Sequence, residues 1–173
     1  MSNVMVTGHR PQRIPGELTT WVIGEMERVV DKLVDSHGMD FGITGMQRGV
    51  DLWFGELLIE RDIPFAAYIP WPEWDAKWWG QYRRAHKFVA DHAEVTHYVS
   101  QTYYQGVYWR RNQMMVDACD MGIAVWDGSP NGGTYDAMIK LERARKPYVC
   151  IDLRSKSSLL RTAKEREEVG ASA

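Results

Sequence analysis

The chain has 173 residues, 45% of them hydrophobic, and 21 Lys and Arg against 23 Asp and Glu give a formal net charge of −2. This length fits one domain with a real core, and the charge lacks the broad basic field that holds nucleic acid sequence-independently, so direct nucleic-acid binding is not expected. No signal peptide and no run near the ~18 apolar residues of a membrane span are found, and two cysteines imply no disulfide framework, so a cytoplasmic protein without membrane contacts is expected.

Short apolar runs alternate with helical patterns along the chain, an order that predicts a parallel sheet with right-handed crossovers. The predicted strands are 4–7, 41–44, 65–69, 95–99, 122–126 and 148–151. The predicted helices are 18–34, 48–58, 81–92, 109–119 and 134–145. The sequence therefore predicts an α/β fold: a Rossmann-like open, mostly parallel sheet of five to six strands with helices on both faces.

The domain organisation follows from where this alternation stops. Residues 1–153 are predicted to form a single Rossmann-like domain, and 154–173 a charged C-terminal tail that ends as a short surface helix. Within the domain, residues 70–80 form an irregular insertion rich in tryptophan. Such aromatic clusters are usually core or interface, but their faces also stack on nucleobases, and Trp74, Trp78 or Tyr103 are candidates for that role.

Three glycine-bearing turns lie where predicted strands end, at 7–11, 44–51 and 127–134. In an open parallel sheet the loops at the carboxyl ends of the strands meet at one edge and build the ligand crevice. Glycine lets backbone amides approach an anion closely, and a helix N-terminus adds positive partial charge. The turns therefore predict a phosphate or nucleotide site, although each also fits an ordinary strand-exit turn or helix cap.

The candidate ligand-binding residues come from these turns and from the start of the helix that follows a tyrosine-rich loop. They are Thr7, Gly8, His9, Arg10, Gly45, Arg48, Gly49, Asp51, Arg111, Asn112, Asp127, Gly128, Gly132, Gly133 and Thr134. The forked guanidinium group of an arginine suits a phosphate. Asp51 suits either a helix cap or a contact with a ribose hydroxyl, and Asn112 offers both a hydrogen-bond donor and an acceptor. The chain lacks the dinucleotide fingerprint and the P-loop, which disfavours common dehydrogenases and P-loop enzymes.

No metal site is expected, because the five histidines have no paired ligand spacing and no cysteine pair joins them. The sequence requires no cofactor. Magnesium is expected only if a bound nucleotide brings it.

Four motifs in this order resemble the YpsA-like proteins of the SLOG superfamily, a group found in bacteria and their phages. They are Thr7-Gly8-His9-Arg10, Gly45-Met46-x-Arg48-Gly49-Val50-Asp51, Arg111-Asn112-x-x-Met115-Val116-Asp117-x-x-Asp120, and Asp127-Gly128 followed by Gly132-Gly133-Thr134. The resemblance spans residues 4 to about 151. It implies a Rossmann-like fold with a nucleotide or nucleotide-derived ligand at the strand ends, and the superfamily includes DprA and the LOG phosphoribohydrolases.

The LOG enzymes carry a Pro-Gly-Gly-x-Gly-Thr-x-x-Glu pattern whose Glu takes part in cleaving an N-glycosidic bond, but here Ala137 stands at that position. Three functions therefore stay open. One is a sensor or sequestering module that binds a nucleotide. Another is a nucleotide N-glycosidic hydrolase that uses Asp136 or Asp51, with Glu56 as a further carboxylate, and the third is a partner-binding protein with a vestigial crevice. A homodimer formed through apolar helix patches is a further expectation.

Overall fold

Strands form where the sequence supplies short apolar runs, and helices form where apolar residues recur at helical spacing. The computed structural model describes residues 1–163, which contain seven strands and five α-helices. The strands are β1 (Ser2–Thr7), β2 (Met39–Thr44), β3 (Phe65–Ile69), β4 (Val95–Tyr98), β5 (Met121–Trp126), β6 (Tyr148–Asp152) and β7 (Ser157–Arg161). The helices are α1 (Thr19–His37), α2 (Val50–Glu60), α3 (Gly80–His92), α4 (Val107–Ala118) and α5 (Gly132–Arg143).

The strands form one sheet in the order β4-β3-β2-β1-β5-β6-β7. Neighbours from β4 to β6 are parallel, with Val4 opposite Gly42 on one side of β1 and Met5 opposite Gly122 on the other. The order reverses at β1, since the chain builds outward through β2, β3 and β4 before it crosses back to β5. This reversal is the topological switch point, where open α/β sheets hold their ligands.

Helices cover both faces of the sheet, as predicted. One core joins α1, α2 and α3 to the face that includes Val4 and Val6. The other core joins α4 and α5 to the face that includes Met5 and Ile43. The predicted Rossmann-like α/β class is confirmed. None of the helices within residues 1–163 has the length and apolar character needed to span a membrane.

The sheet has one strand more than predicted, because β7 forms inside the segment expected to be a charged tail from residue 154. Ser157–Arg161 pairs antiparallel with β6, with Leu159 opposite Cys150. An edge strand has one neighbour and needs little apolar surface, and Leu159 is itself 65% exposed, so the apolar pattern of this strand is weak. The surface helix expected near the C-terminus falls on residues 164–173, which lie outside the described residues.

Two glycines bring the loop after β1 against the start of α2. A Cβ on Gly8 would lie 2.4 Å from Val50 Cγ1, and a Cβ on Gly49 would lie 2.6 Å from the carbonyl oxygen of His9. Gly49 also has φ +89°, a conformation that L side chains rarely adopt. Both glycines are therefore required by the contact between the two elements, and this contact holds the β1 loop at the switch point.

We expect Gly49→Ala to lower the free energy of unfolding by about 1–3 kcal/mol, because the residue has positive φ and its Cβ would collide with backbone. Gly133→Ala is the matched control, since a Cβ there meets nothing within 4 Å and the position is helical. Its effect should stay within about 1 kcal/mol. Urea unfolding of the two variants measures the difference, and equal effects would contradict this account of Gly49.

Candidate functional site

A cavity of about 240 Å³ opens at the switch point, and we call it the switch-point cleft. Its walls come from the end of β1 and its loop, the loop before α2, the inner side of α4, and the start of α5. Nine residues predicted from the sequence line it: Thr7, Gly8, His9, Arg10, Asp51, Arg111, Asn112, Gly133 and Thr134. The first predicted motif therefore lines the cleft in full, and each of the other three contributes part of its residues.

The N-terminus of α5 forms one wall of the cleft. The helix begins at Gly132, and its N-cap residue Asn131 makes no side-chain cap. The first amides of a helix have no acceptor within the helix, so those of Gly133 and Thr134 remain available at the cleft. Because a Cβ on Gly133 would meet nothing within 4 Å, the backbone there borders open space. Such a helix start favours an anion.

Asp51 and Arg111 form a buried pair of opposite charge in the cleft, only 5% and 8% exposed. Arg111 Nη1 donates to the carbonyl oxygen of Gly45 at 3.1 Å, and Asp51 Oδ2 accepts from the Gln47 amide at 3.3 Å. Within residues 1–163, however, Arg111 Nε and Asp51 Oδ1 are buried without a hydrogen-bond partner. Buried polar atoms normally have partners, so these two atoms point to a ligand.

Burial sets the protonation of this pair. Burial raises the pKa of Asp51 to about 6, although the positive charge of Arg111 and the Gln47 amide pull it down. Burial likewise lowers the pKa of the Arg111 guanidinium, which Asp51 opposes. A carboxyl group with this pKa changes protonation close to neutral pH, which is typical of functional sites.

Gly45 makes room for the pair without lining the cleft. A Cβ there would lie 2.9 Å from Asp51 Oδ2 and 3.2 Å from Arg111 Nε. The next residue, Met46, is fully buried and has φ +63°, and its amide donates to Thr44 Oγ1 at 3.2 Å. The turn after β2 is therefore shaped around the charged pair.

A second network, made of hydrogen bonds to the loop after β5, supports the β1 loop. The amide of Asp127 donates to His9 Nε2 at 3.1 Å, and Arg13 Nη2 donates to Asp127 Oδ2 at 2.8 Å and to Ser129 Oγ at 3.0 Å. Burial lowers the pKa of His9, although Asp127 opposes the shift, so a neutral imidazole that accepts at Nε2 is favoured. Asp127 thus holds the loop in place and does not line the cleft.

The remaining predicted residues also lie outside the cleft. Gly132 lies near it, where a Cβ would be 3.4 Å from Arg13 Nη1, whereas a Cβ on Gly128 would collide with Arg154 at 2.6 Å. Gly49 packs under the β1 loop as described above. Arg48 lines a second cavity, described next.

The three carboxylates predicted for catalysis differ in whether they line the cleft. Asp136 accepts from Asn112 Nδ2 at 3.0 Å and pairs with Lys140, and it does not line the cleft. Asn112 Nδ2 also donates to the carbonyl oxygen of Gly133 at 3.1 Å, so Asn112 ties α4 to the start of α5. Glu56 lines neither cavity. Asp51 is therefore the predicted carboxylate that reaches the cleft.

A second cavity of about 430 Å³ adjoins the cleft, and we call it the tryptophan annex. It is lined by Arg10, Gln47, Arg48, Trp71, Glu73, Trp74, Ala76, Lys77, Trp78 and Tyr108. The two cavities share Arg10, Gln47 and Tyr108. Of the residues proposed to stack on a base, Trp74 and Trp78 line the annex, whereas Tyr103 is 61% exposed and packs edge-on against Trp71 outside both cavities.

Sequence reasoning missed six cleft residues: Val6, Arg13, Gln47, Tyr108, Trp109 and Met115. Gln47 lies inside the predicted turn at 44–51, at a motif position that was given no role, and Arg13 lies two residues beyond the turn at 7–11. Tyr108, Trp109 and Met115 share one side of α4 with Arg111 and Asn112, and helical spacing from Arg111 was the available signal. Among residues 1–163, no three His, Cys, Asp or Glu side chains cluster as a metal site would require.

Comparison with known proteins identifies the family. The YpsA family model, described as the YspA SLOG family, matches residues 4–155. The chain belongs to this family. A search of curated protein sequences gave no match.

Solved structures share the fold at low sequence identity. DNA processing protein A from Helicobacter pylori has a TM-score of 0.63 and 14% identity, over 86% of this chain and 64% of its own. The same protein from Streptococcus pneumoniae has a TM-score of 0.65 and 13% identity, over 87% of this chain and 50% of its own. The structural-genomics target TM1055 has a TM-score of 0.55 and 16% identity, over 86% and 72%. The chain thus spans less than two thirds of either DNA processing protein.

One expectation from the sequence is corrected by these structures. Low net charge led us to expect no direct nucleic-acid binding, yet the Helicobacter pylori protein, which shares this fold, has a single-stranded DNA binding mode. The argument from charge was wrong because a single strand is held by a local groove of cations and aromatic rings. A net charge of −2 sums the whole surface and does not describe any one groove.

The pKa of Asp51 gives a prediction with a definite sign. A folded-state pKa of about 6 against an unfolded value of 3.8 means that the folded protein holds an extra proton between these pH values. The contribution of Asp51 to the free energy of unfolding therefore falls as pH rises from about 4 through about 6. Asp51→Asn has no such group and is spared this loss. The unfolding free energy of the variant minus that of wild type should therefore rise by about 3 kcal/mol from pH 4 to pH 7. Urea unfolding at several pH values measures this difference, and a flat or falling one would contradict the raised pKa.

Proposed function

We propose that this chain binds a nucleotide or nucleotide-derived ligand in the switch-point cleft and acts as a sensor or sequestering module. One observation carries the proposal: Arg111 and Asp51, which hold the buried and unpartnered atoms Nε and Oδ1, line the same cavity as the open N-terminus of α5. A ligand with an anionic group and adjacent hydroxyls would satisfy both features.

The phosphate is assigned to the start of α5. The amides of Gly133 and Thr134 supply neutral donors with the positive end of the helix dipole behind them. Arg10 is exposed and, within residues 1–163, its side chain makes no hydrogen bond or ion pair, so its guanidinium is free to close over a phosphate. Arg13 lines the same cavity and is already held by Asp127, which fixes its position.

The sugar is assigned to the charged pair. Asp51 Oδ1 would accept from a ribose hydroxyl, and Arg111 Nε would donate to a neighbouring oxygen. Gln47 lies beside them at the cleft wall and offers both a donor and an acceptor. The pair then gains in the complex the hydrogen bonds that it lacks in the free protein.

The partner is therefore a small nucleotide-type molecule, and the chain itself needs no cofactor. Magnesium would enter only on the phosphates of the ligand. A cytoplasmic setting is proposed from the free, buried thiols of Cys119 and Cys150. The pairing of two copies stays a prediction.

We expect Gly133→Asp to weaken AMP binding at least tenfold, because a carboxylate would enter the open space at the phosphate position. An acidic residue in the first turn stabilises a helix, so the variant should fold. Gly24→Asp is the matched control, since it places the same side chain at an open, exposed position on α1 outside both cavities. Isothermal titration measures both, and unchanged affinity in Gly133→Asp would reject the phosphate position.

Hydrolysis of a nucleotide N-glycosidic bond is a second candidate function, and the pKa of Asp51 is the observation that favours it. A carboxyl group with a pKa of about 6 that lines the cleft is suited to general acid catalysis near neutral pH. Asp136 is already engaged by Asn112 and Lys140. If the chain is a hydrolase, we assign the acid role to Asp51.

This second function is tested by chromatography for free adenine after incubation with AMP. We expect Asp51→Asn to abolish release and Asp136→Asn to keep turnover within tenfold of wild type. Loss of turnover in Asp136→Asn alone would overturn the assignment to Asp51. If the wild-type protein releases no adenine, hydrolysis of AMP is rejected and binding without turnover remains.

A further inference from the structure

We infer that the ligand contains two nucleotide units joined through phosphate, one in the switch-point cleft and the other in the tryptophan annex. This inference rests on the proposed function and extends it from a mononucleotide to a dinucleotide. The annex has its own aromatic walls and its own cations, and it opens directly beside the cleft.

The two cavities adjoin at three shared side chains. Arg10, Gln47 and Tyr108 line both of them. Arg10 is exposed, and its side chain has no hydrogen-bond or ion-pair partner in the described part of the chain. A guanidinium at the junction, with its donors free, is suited to the phosphates that would link a unit on one side to a unit on the other.

The annex walls are aromatic and fixed in place. Trp74 is buried, and its Nε1 donates to the hydroxyl of Tyr108 at 3.2 Å. Trp71 and Trp78 contact Trp74 edge-on, with ring centroids 6.4 Å and 4.9 Å away, and both remain partly exposed. These rings need no ordering when a ligand arrives, so they offer a base a preformed stacking surface.

Arg48 supplies the second position for an anion. Its guanidinium carbon lies 5.1 Å from the ring centroid of Trp78 and 5.7 Å from that of Tyr82, so aromatic faces hold it without any carboxylate. Its Nε is buried and has no hydrogen-bond partner among residues 1–163. Its backbone is also fixed, since its amide donates to Gln47 Oε1 at 2.9 Å.

The charge in the annex supports the same conclusion. Arg10, Arg48 and Lys77 line it against a single acidic side chain, Glu73, although the whole chain has a net charge of −2. A mononucleotide seated at α5 would leave this positive, aromatic space of about 430 Å³ empty. A dinucleotide would fill it, with its second base against the tryptophans and a phosphate at Arg48.

The test compares AMP with diadenosine diphosphate on three proteins: wild type, Arg48→Gln and the control Arg110→Gln. Arg110 is exposed on α4 and lines neither cavity, so its substitution removes the same charge without touching the annex. We expect wild type and the control to bind the dinucleotide at least tenfold more tightly than AMP. In Arg48→Gln this advantage should vanish while AMP affinity stays within twofold. Tryptophan fluorescence should change more with the dinucleotide than with AMP, because Trp109 lines the cleft whereas Trp71, Trp74 and Trp78 line the annex.

The outcomes separate this inference from the proposal on which it rests. If neither compound binds wild type, the proposed function fails. If AMP binds and the dinucleotide has no advantage, or if Arg48→Gln weakens both equally, the inference fails alone. A ten-residue oligodeoxyadenylate could instead bind tenfold more tightly than diadenosine diphosphate. That result would overturn the inference that the ligand is a free dinucleotide, and it would assign the annex to the end of a single strand.

Discussion

The reversal of strand order at β1 is the constraint on which the site depends. β1 pairs with β2 on one side and β5 on the other, and the chain leaves these neighbours toward opposite faces of the sheet. Their loops must therefore diverge above β1, and the divergence opens the cleft without any side chain creating it. Gly8 and Gly49 then bring the β1 loop onto the start of α2, so one side of the opening is fixed by backbone contact.

The charged pair placed in this opening works against stability. Two buried ionisable groups lose their hydration, and this pair recovers only part of it because Arg111 Nε and Asp51 Oδ1 remain without partners. An apolar pair would fill the same space without that penalty. The raised pKa of Asp51, about 6, reflects this cost, since burial makes the ionised carboxylate less favourable than in water even beside a guanidinium. Such incomplete satisfaction is understandable where a ligand completes the hydrogen bonds, as at a binding site held ready in the free protein.

The sequence predicts the strands and helices well because each depends on local apolar periodicity. It also predicts which turns meet at one edge, since parallel strands all end on the same side. It does not predict what each turn residue does there. Gly49 and Gly128 lie against other parts of the chain, and a glycine that makes room for protein looks the same in sequence as one that makes room for phosphate.

Two other differences have a similar cause. Tyr108 contributes to both cavities through its position on α4, and that depends on how the helix packs across the sheet. The tail segment forms β7 because β6 offers it an unpaired edge, and no feature of residues 157–161 alone announces that partner. Net charge failed as a guide for the same reason, because it sums over the whole chain and does not show that Arg10, Arg48 and Lys77 line one cavity.

The backbone fold and the side chains of one inserted segment contribute different features to the site. The open start of α5 follows from the Rossmann-like connection after β5, so an anion position of this kind comes with the architecture. The segment between β3 and α3 does not follow from the fold in this way, because nothing in the sheet requires Trp71, Trp74 and Trp78 to lie there. They line the cavity beside the cleft, and the Arg48 guanidinium lies over the ring of Trp78. Under the proposed function, selectivity among nucleotide ligands would depend on this insertion more than on the glycine turns that first identify the site.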